Sequence, residues 1–168
     1  IIASDMAAIL YAREIGQEVH ISTQVNVSNI EAVKFYAQFA DVMVLARELN
    51  MEQVTEISRA IEAGDIRGPH GDRIRLEMFC HGALCMAVSG KCYMSLHEMN
   101  SSANRGACNQ ICRRAYTVTD RETGEQLDIE NKYIMSPKDL KTIHFLNKMV
   151  DAGLRVFKIE GRARGPEY

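Results

Sequence analysis

The chain has 168 residues, and its 20 Lys and Arg against 22 Asp and Glu leave a formal net charge of -2. Hydrophobic residues make up 46% and charged residues 25% of the chain, which is the composition of an ordinary folded domain and excludes disordered or low-complexity proteins. No apolar stretch reaches the ~18 uncharged residues that a membrane helix needs, so the sequence predicts a cytoplasmic protein without a membrane segment.

The first half of the chain alternates between strands and helices three times. Strands are predicted over residues 1–5, 19–24 and 42–45. Helices are predicted over residues 6–15, from a capping box at 28–31 onward, and from a capping box at 50–53 to about residue 63. Asp5 is expected to cap the first helix and Gly16 to end it in the left-handed conformation. Such alternation with short connections is typical of parallel βαβ units.

The second half continues the alternation after an insertion. Strands are predicted over residues 74–79 and 154–159, and a β-hairpin over 116–129 turns around Thr123 and Gly124. Ser136 and Pro137 indicate the start of a helix that Gly153 closes. Aromatic side chains such as Phe35 and Phe145 are expected in the core.

Five parallel strands fit either a doubly wound sheet or part of a (β/α)8 barrel. No Gly-x-Gly-x-x-Gly follows any strand, so the marker of a dinucleotide-binding sheet is missing. Polar residues cluster where the strands end, which is where barrel enzymes bind their substrates, and a whole barrel needs ~250 residues. We therefore predict an α/β fold, a partial (β/α)8 TIM-type barrel forming a single domain over residues 1–168. It carries a cysteine-rich segment at 80–112 and a hairpin insertion at about 115–130. Such a fragment of a longer protein would leave the edge strands of the sheet without pairing partners, so we expect the fragment to self-associate.

The five cysteines are concentrated in the middle of the chain. Four of them follow the pattern C-x6-C-x15-C-x3-C at Cys85, Cys92, Cys108 and Cys112, with Cys80 just before. Four thiolates suit Zn²⁺ or an iron–sulfur cluster, and the wide spacing is unlike the paired knuckles of structural zinc sites. Reduced, buried cysteines are the alternative.

Several segments resemble one known family. The sequence is EMFCHGALC at 77–85 and SGKCYMS at 89–95, followed by NRGAC at 104–108 and Cys112-Arg113. Shorter matches occur in the same order at residues 22–24, 45–48, 136–140 and 158–162. This pattern is similar to the collagenase-like peptidase family of unknown mechanism, and the resemblance covers nearly the whole chain.

The resemblance implies a cofactor and two classes of function. Family members include proteins for oxygen-independent hydroxylation of tRNA uridine or rRNA cytidine, with prephenate implicated as hydroxyl donor, and proteins of ubiquinone synthesis. Several hold a [4Fe–4S] cluster, for which the ligands here would be Cys85, Cys92, Cys108 and Cys112, with zinc as the alternative metal. Cys80 would serve packing. The expected function is RNA base hydroxylation with tRNA or rRNA as partner. The alternatives are a peptidase acting on peptides and a non-catalytic subunit braced by metal.

Charged residues at the strand ends are the remaining candidates. Glu77 and His81 are predicted as catalytic groups. For Glu77 a buried ion pair is an equally good explanation, and for His81 a structural hydrogen bond is equally good. A cationic mouth able to hold a carboxylate or phosphate is predicted from Arg47, Arg105, Arg113, Lys158 and Arg162. The other four histidines are expected to have ordinary structural roles. Residues 85–168 carry 13 Lys and Arg against 10 Asp and Glu, a surplus that suits an RNA partner or merely a solvated surface.

Overall fold

The computed structural model describes residues 1–88, 91–130, 134–136, 138–161, 165 and 167–168. It divides into two compact units, the first formed by Ile1–Gly82 and Lys141–Tyr168 and the second by Ala83–Leu140. The predicted features at Ser89, Gly90, Pro137 and Arg162 lie outside the described residues. None of the described helices is both long enough and apolar enough to span a membrane.

The first unit is built on a mostly parallel sheet. Its strands are β1 (Ile2–Ala3), β2 (His20–Ile21), β3 (Val42–Val44), β4 (Arg75–Gly82), β7 (Leu140–Lys141, at the boundary with the second unit) and β8 (Leu154–Ile159). β1, β2, β3 and β4 are neighbours in that order, and β8 also pairs with β4 in parallel. This confirms a mixed α/β fold with a mostly parallel sheet, whereas the partial (β/α)8 barrel remains a prediction.

The helices of the first unit begin at polar caps that the sequence provides. They are α1 (Met6–Glu14), α2 (Ile30–Tyr36), α3 (Met51–Ala63) and α5 (Leu146–Asp151). Asp5 accepts a hydrogen bond from the Ala8 amide, and Asn50 forms a full capping box with Gln53, both as predicted. The predicted capping box at residues 28–31 is wrong, because Asn29 caps α2 by accepting from the Ala32 amide.

The apolar core joins one face of the sheet to the helices. Alternate strand residues such as Ile21, Met43 and Leu76 pack with Ile9 of α1 and Val54 of α3. Since strand side chains alternate between faces, their neighbours in sequence lie on the opposite face of the sheet. That second face carries the candidate site of this unit.

Several local predictions are wrong. Residues 138–141 do not begin a helix, because Leu140–Lys141 forms a strand and Thr142 then bonds to the Cys80 carbonyl; the helix starts only at Leu146. The strand predicted over 19–24 is limited to His20–Ile21, because a 3-10 turn follows it. Phe35 and Phe145 lie outside the buried core, with 52% and 37% of their surfaces exposed, and Ile2 in the first strand is exposed as well.

The second unit contains one short helix and the predicted hairpin. The helix is α4 (Tyr93–Met99), and the hairpin pairs β5 (Tyr116–Thr119) with β6 (Gln126–Ile129) in antiparallel register. Ile111 is buried, and its carbonyl accepts a hydrogen bond from the Tyr116 hydroxyl. The four spaced cysteines all lie in this unit.

Candidate functional site

In the first unit, β4 places Glu77 and Phe79 on the sheet face opposite the core. They alternate with Met78, which packs toward the helices, and His81 follows after an irregularity in the pairing of β4 with β8. β3 lies beside β4 on one side and β8 pairs with it as well, with Phe79 in register with Lys158. Neighbouring parallel strands therefore bring groups that are far apart in sequence onto one surface.

Glu77 is the buried charge of this surface. Only 3% of its surface is exposed, and its Oε2 lies 2.6 Å from His20 Nδ1. Its Oε1 lies 4.0 Å from Lys158 Nζ. One of the two predicted explanations of Glu77 was an ion pair, but the pairing with His20, 57 residues away, was missed. No local pattern could have revealed it, since only the register of β2 and β4 brings the two side chains together.

Two cations share the ring of Phe79. The Arg47 guanidinium carbon lies 4.1 Å from the ring centre, and Lys158 Nζ lies 5.0 Å from the same point. Such cation–π contacts hold a positive charge against an apolar surface. The predicted substrate-binding residues Arg47 and Lys158 are therefore brought together in this unit.

Two nitrogens of this unit are buried without a hydrogen-bond partner among the residues that the structure describes. They are Arg47 Nε and His81 Nε2. The His81 ring makes an edge contact with Tyr168, with ring centres 5.1 Å apart. Buried polar nitrogens are almost always paired, so two unpaired ones indicate a missing partner.

The second unit holds the four candidate metal ligands as free thiols. Cys85 and Cys108 are exposed, whereas Cys92 and Cys112 are partly buried. Cys92 caps α4, and the hydrogen bond that its sulfur accepts from the Ser95 amide lowers the pKa of its thiol. Burial raises the pKa of Cys112, and the charges of Cys108, Cys85 and Cys92 act on it in the same direction. The thiolate form of Cys112 is thus disfavoured both by burial and by the other three cysteines.

The donor chemistry of these residues fits a soft metal centre. Four thiolates in one compact unit are the ligand set of an iron–sulfur cluster or a structural zinc ion. Within the described ranges, however, no group of three or more His, Cys, Asp or Glu side chains is arranged to hold a metal ion. Cys80 lies in the first unit, packed against the core, where burial raises the pKa of its thiol.

The remaining predicted cations have different surroundings. Arg113 Nη2 donates to Asp139 Oδ1 at 2.6 Å within the second unit, and both side chains are largely buried. Arg105 is exposed at the end of a 3-10 turn. Arg162 lies outside the described residues. Of the five residues predicted for a cationic mouth, the structure therefore brings Arg47 and Lys158 together in the first unit.

Comparison with known proteins identifies the family. The sequence profile of peptidase family U32 matches residues 1–168. The chain belongs to peptidase family U32. It is 73% identical over 168 residues to a protein of Porphyromonas gingivalis named collagenase, covering 100% of this chain and 41% of that protein.

Other relatives carry names from RNA modification. The chain is 41% identical over 152 residues to the 23S rRNA 5-hydroxycytidine synthase of Escherichia coli, covering 90% of this chain and 21% of that protein. It is 35% identical over 175 residues to a tRNA hydroxylation protein of Bacillus subtilis, covering 100% of this chain and 39% of the relative. The chain thus spans less than half the length of these curated relatives. No solved structure matches it.

Proposed function

We propose that the protein takes part in iron–sulfur-dependent, oxygen-independent hydroxylation of an RNA base, of the tRNA uridine type, with prephenate as hydroxyl donor. The observation that carries this proposal is the alignment of the whole chain with a relative named for tRNA hydroxylation. A second relative, named for rRNA hydroxycytidine synthesis, matches 90% of the chain. RNA is accordingly the proposed partner.

A [4Fe–4S] cluster is the proposed cofactor, with zinc as the alternative. Cys85, Cys92, Cys108 and Cys112 would hold it, and a bound cluster supplies one-electron chemistry that no amino-acid side chain of this chain provides. The support is the donor set itself, four free thiols within the unit 83–140. The other three cysteines also raise the pKa of the Cys112 thiol.

The cofactor can be tested separately from the activity. Anaerobic reconstitution of the full-length protein with iron and sulfide should give about four irons per chain, as a cubane cluster requires. Cys112→Ala should lower the iron content sharply, whereas the control Cys80→Ala should leave it nearly unchanged. Stoichiometric zinc binding in place of iron under anaerobic conditions would contradict the cluster.

The chain's own charged residues would bind and orient the substrates. Arg47 and Lys158 offer positive charge to an anionic substrate, and Glu77 keeps the Lys158 ammonium in place. His81 is the proposed proton donor or acceptor, since its Nε2 is unpaired among the described residues. In the second unit, the exposed Arg105 is suited to an RNA phosphate.

A peptidase is the second candidate, favoured by the 73% identity to a protein named collagenase. A peptidase needs an activated nucleophile or a metal-bound water. In neither unit does a described Ser or Cys side chain form a hydrogen bond with a histidine. For this reason the hydroxylation proposal is preferred, and a non-catalytic, metal-braced subunit ranks third.

The two activities can be separated by one comparison of cells with and without the full-length protein. Mass spectrometry of RNA nucleosides should show a hydroxylated pyrimidine nucleoside that disappears when the gene is deleted. The purified protein should leave collagen and gelatin uncut. Unchanged nucleosides together with chelator-sensitive cleavage of collagen would favour the peptidase instead.

A further inference from the structure

The segments at the carboxyl ends of β3 and β4 in the first unit carry buried polar nitrogens that the described side chains do not satisfy. Arg47 Nε and His81 Nε2 are buried and have no hydrogen-bond partner within the described part of the chain. Arg47 also forms no ion pair there, because the carboxylate of Glu77 is shared between His20 and Lys158. A buried Nε–H group without a hydrogen-bond partner is costly, and an anion that accepts its hydrogen bond would remove that cost.

The positions of these groups define a small surface. Arg47 follows β3, Phe79 lies on β4, and Lys158 is its partner in register on β8. Both cations are within about 5 Å of the same ring centre, so the ring lies beside each of them. A ligand held here would meet two positive charges and an aromatic ring.

The chemistry favours a carboxylate. The Nε and one terminal nitrogen of a guanidinium form a side-on pair of donors that matches the two oxygens of a carboxylate. The Nε is the nitrogen that is unpaired here. Phe79 offers apolar contact to the carbon part of such a ligand, which inorganic phosphate lacks.

The local charge argues for a group with one negative charge, such as a single carboxylate, rather than a phosphate dianion. Lys158 already has the Glu77 carboxylate at 4.0 Å, so the uncompensated positive charge comes mainly from Arg47. A phosphate dianion or a run of RNA phosphates would be repelled by Glu77. The structure therefore distinguishes this surface from one built for a nucleic-acid backbone.

We infer that Arg47 and Lys158, both in contact with the ring of Phe79, form a binding site for a small carboxylate with an apolar body. The inference rests on the proposed function only for the ligand's role, as the donor substrate held beside the RNA base. Because both unpaired nitrogens are covered, binding must displace a covering side chain, and Tyr168 is the one in contact with His81.

Isothermal titration calorimetry of the full-length protein tests the site with benzoate as the probe. Benzamide is the neutral control of nearly the same shape, and inorganic phosphate is the competing anion. Benzoate should bind, and benzamide should bind at least about tenfold more weakly because it lacks the charge. Arg47→Gln should raise the Kd for benzoate about 10- to 100-fold, since a hydrogen-bonded charge pair is lost.

Matched variants keep the test decisive. Arg59→Gln, on the exposed surface of α3, should leave the Kd unchanged. Arg47→Lys keeps the charge but loses the side-on donor pair, and it should also weaken binding by about tenfold or more. This second variant carries the test if circular dichroism shows that Arg47→Gln is unfolded.

Three results would overturn the site. They are no binding of benzoate by the wild-type protein, equal binding of benzoate and benzamide, and an unchanged Kd in both Arg47 variants. Binding of phosphate instead of benzoate would overturn the carboxylate assignment. The titration contains no RNA, so it tests the site independently of RNA hydroxylation. If benzoate binds but RNA nucleosides in cells do not change when the gene is deleted, the proposed function is wrong and the binding site is still supported.

Discussion

Replacing Glu77 by Gln should destabilise the first unit more than any exposed substitution. The variant keeps the size of the side chain but removes the charge that His20 and Lys158 share. Glu77 is 3% exposed, so water cannot take the place of the lost interactions. His20 and Lys158 would then face an uncharged amide.

The magnitude follows from the two contacts. The short bond to His20, at 2.6 Å, is of the charge-assisted kind that contributes about 1.5–3 kcal/mol. The Lys158 pair, at 4.0 Å, adds less, because 22% of the lysine side chain is exposed to screening water. Together they give an expected loss of about 2–4 kcal/mol in the local free energy of opening.

Hydrogen exchange measured by mass spectrometry is the assay, because it reads stability locally in a protein of more than one unit. Amides of Arg75–Gly82 should exchange about 30- to 1,000-fold faster in Glu77→Gln than in the wild type. Glu48→Gln, at an exposed position, is the control and should change exchange little. Acceleration of less than about fivefold in Glu77→Gln would show that this carboxylate does not hold the sheet face together.

Three further predictions concern stability. Gly82→Ala should lower the free energy of unfolding by about 2–4 kcal/mol, because Gly82 has φ +109° and an added Cβ would lie 2.0 Å from the Glu160 carbonyl oxygen. Chemical denaturation measures this loss, and a variant as stable as the wild type would contradict the close packing at Gly82. The hydrogen bond from His70 to Asp41 raises the pKa of His70 above its ordinary 6.5, so its stabilising effect is complete below that pH and declines as pH rises through the raised pKa. Thermal denaturation across neutral pH should show this decline, and Asp41→Asn should remove it. Asn50→Ala should cost about 1 kcal/mol by removing the capping box of α3, and an unchanged Tm would refute that role.

Local signals in the sequence predicted most of the fold of the first unit. The capping box at Asn50, the continuous apolar residues Val42–Val44 and the strand Leu154–Ile159 each depend on neighbours within a few residues. The hairpin of the second unit was predictable for the same reason, since its turn and alternation are contiguous in sequence. The predicted helix at residue 136 failed because long-range pairing with β4 placed Leu140–Lys141 in a strand.

The candidate site was predictable in its residue types but not in its pairings. Arg47, Glu77 and Lys158 could be recognised as charged residues at strand ends. His20 was assigned a structural role, because its contact with Glu77 depends on the register of strands 57 residues apart. The unpaired nitrogens of Arg47 and His81 could be found only from burial in three dimensions.

The central claim, RNA hydroxylation dependent on the four cysteines, is tested most directly by nucleoside mass spectrometry in cells that lack the gene. The cells would be complemented with the full-length wild-type protein, with Cys112→Ala or with Cys80→Ala. The hydroxylated nucleoside should return with the wild type and with Cys80→Ala, and it should stay absent with Cys112→Ala at equal protein level. Full recovery of the nucleoside by Cys112→Ala, or the same nucleosides in all four strains, would contradict the proposal.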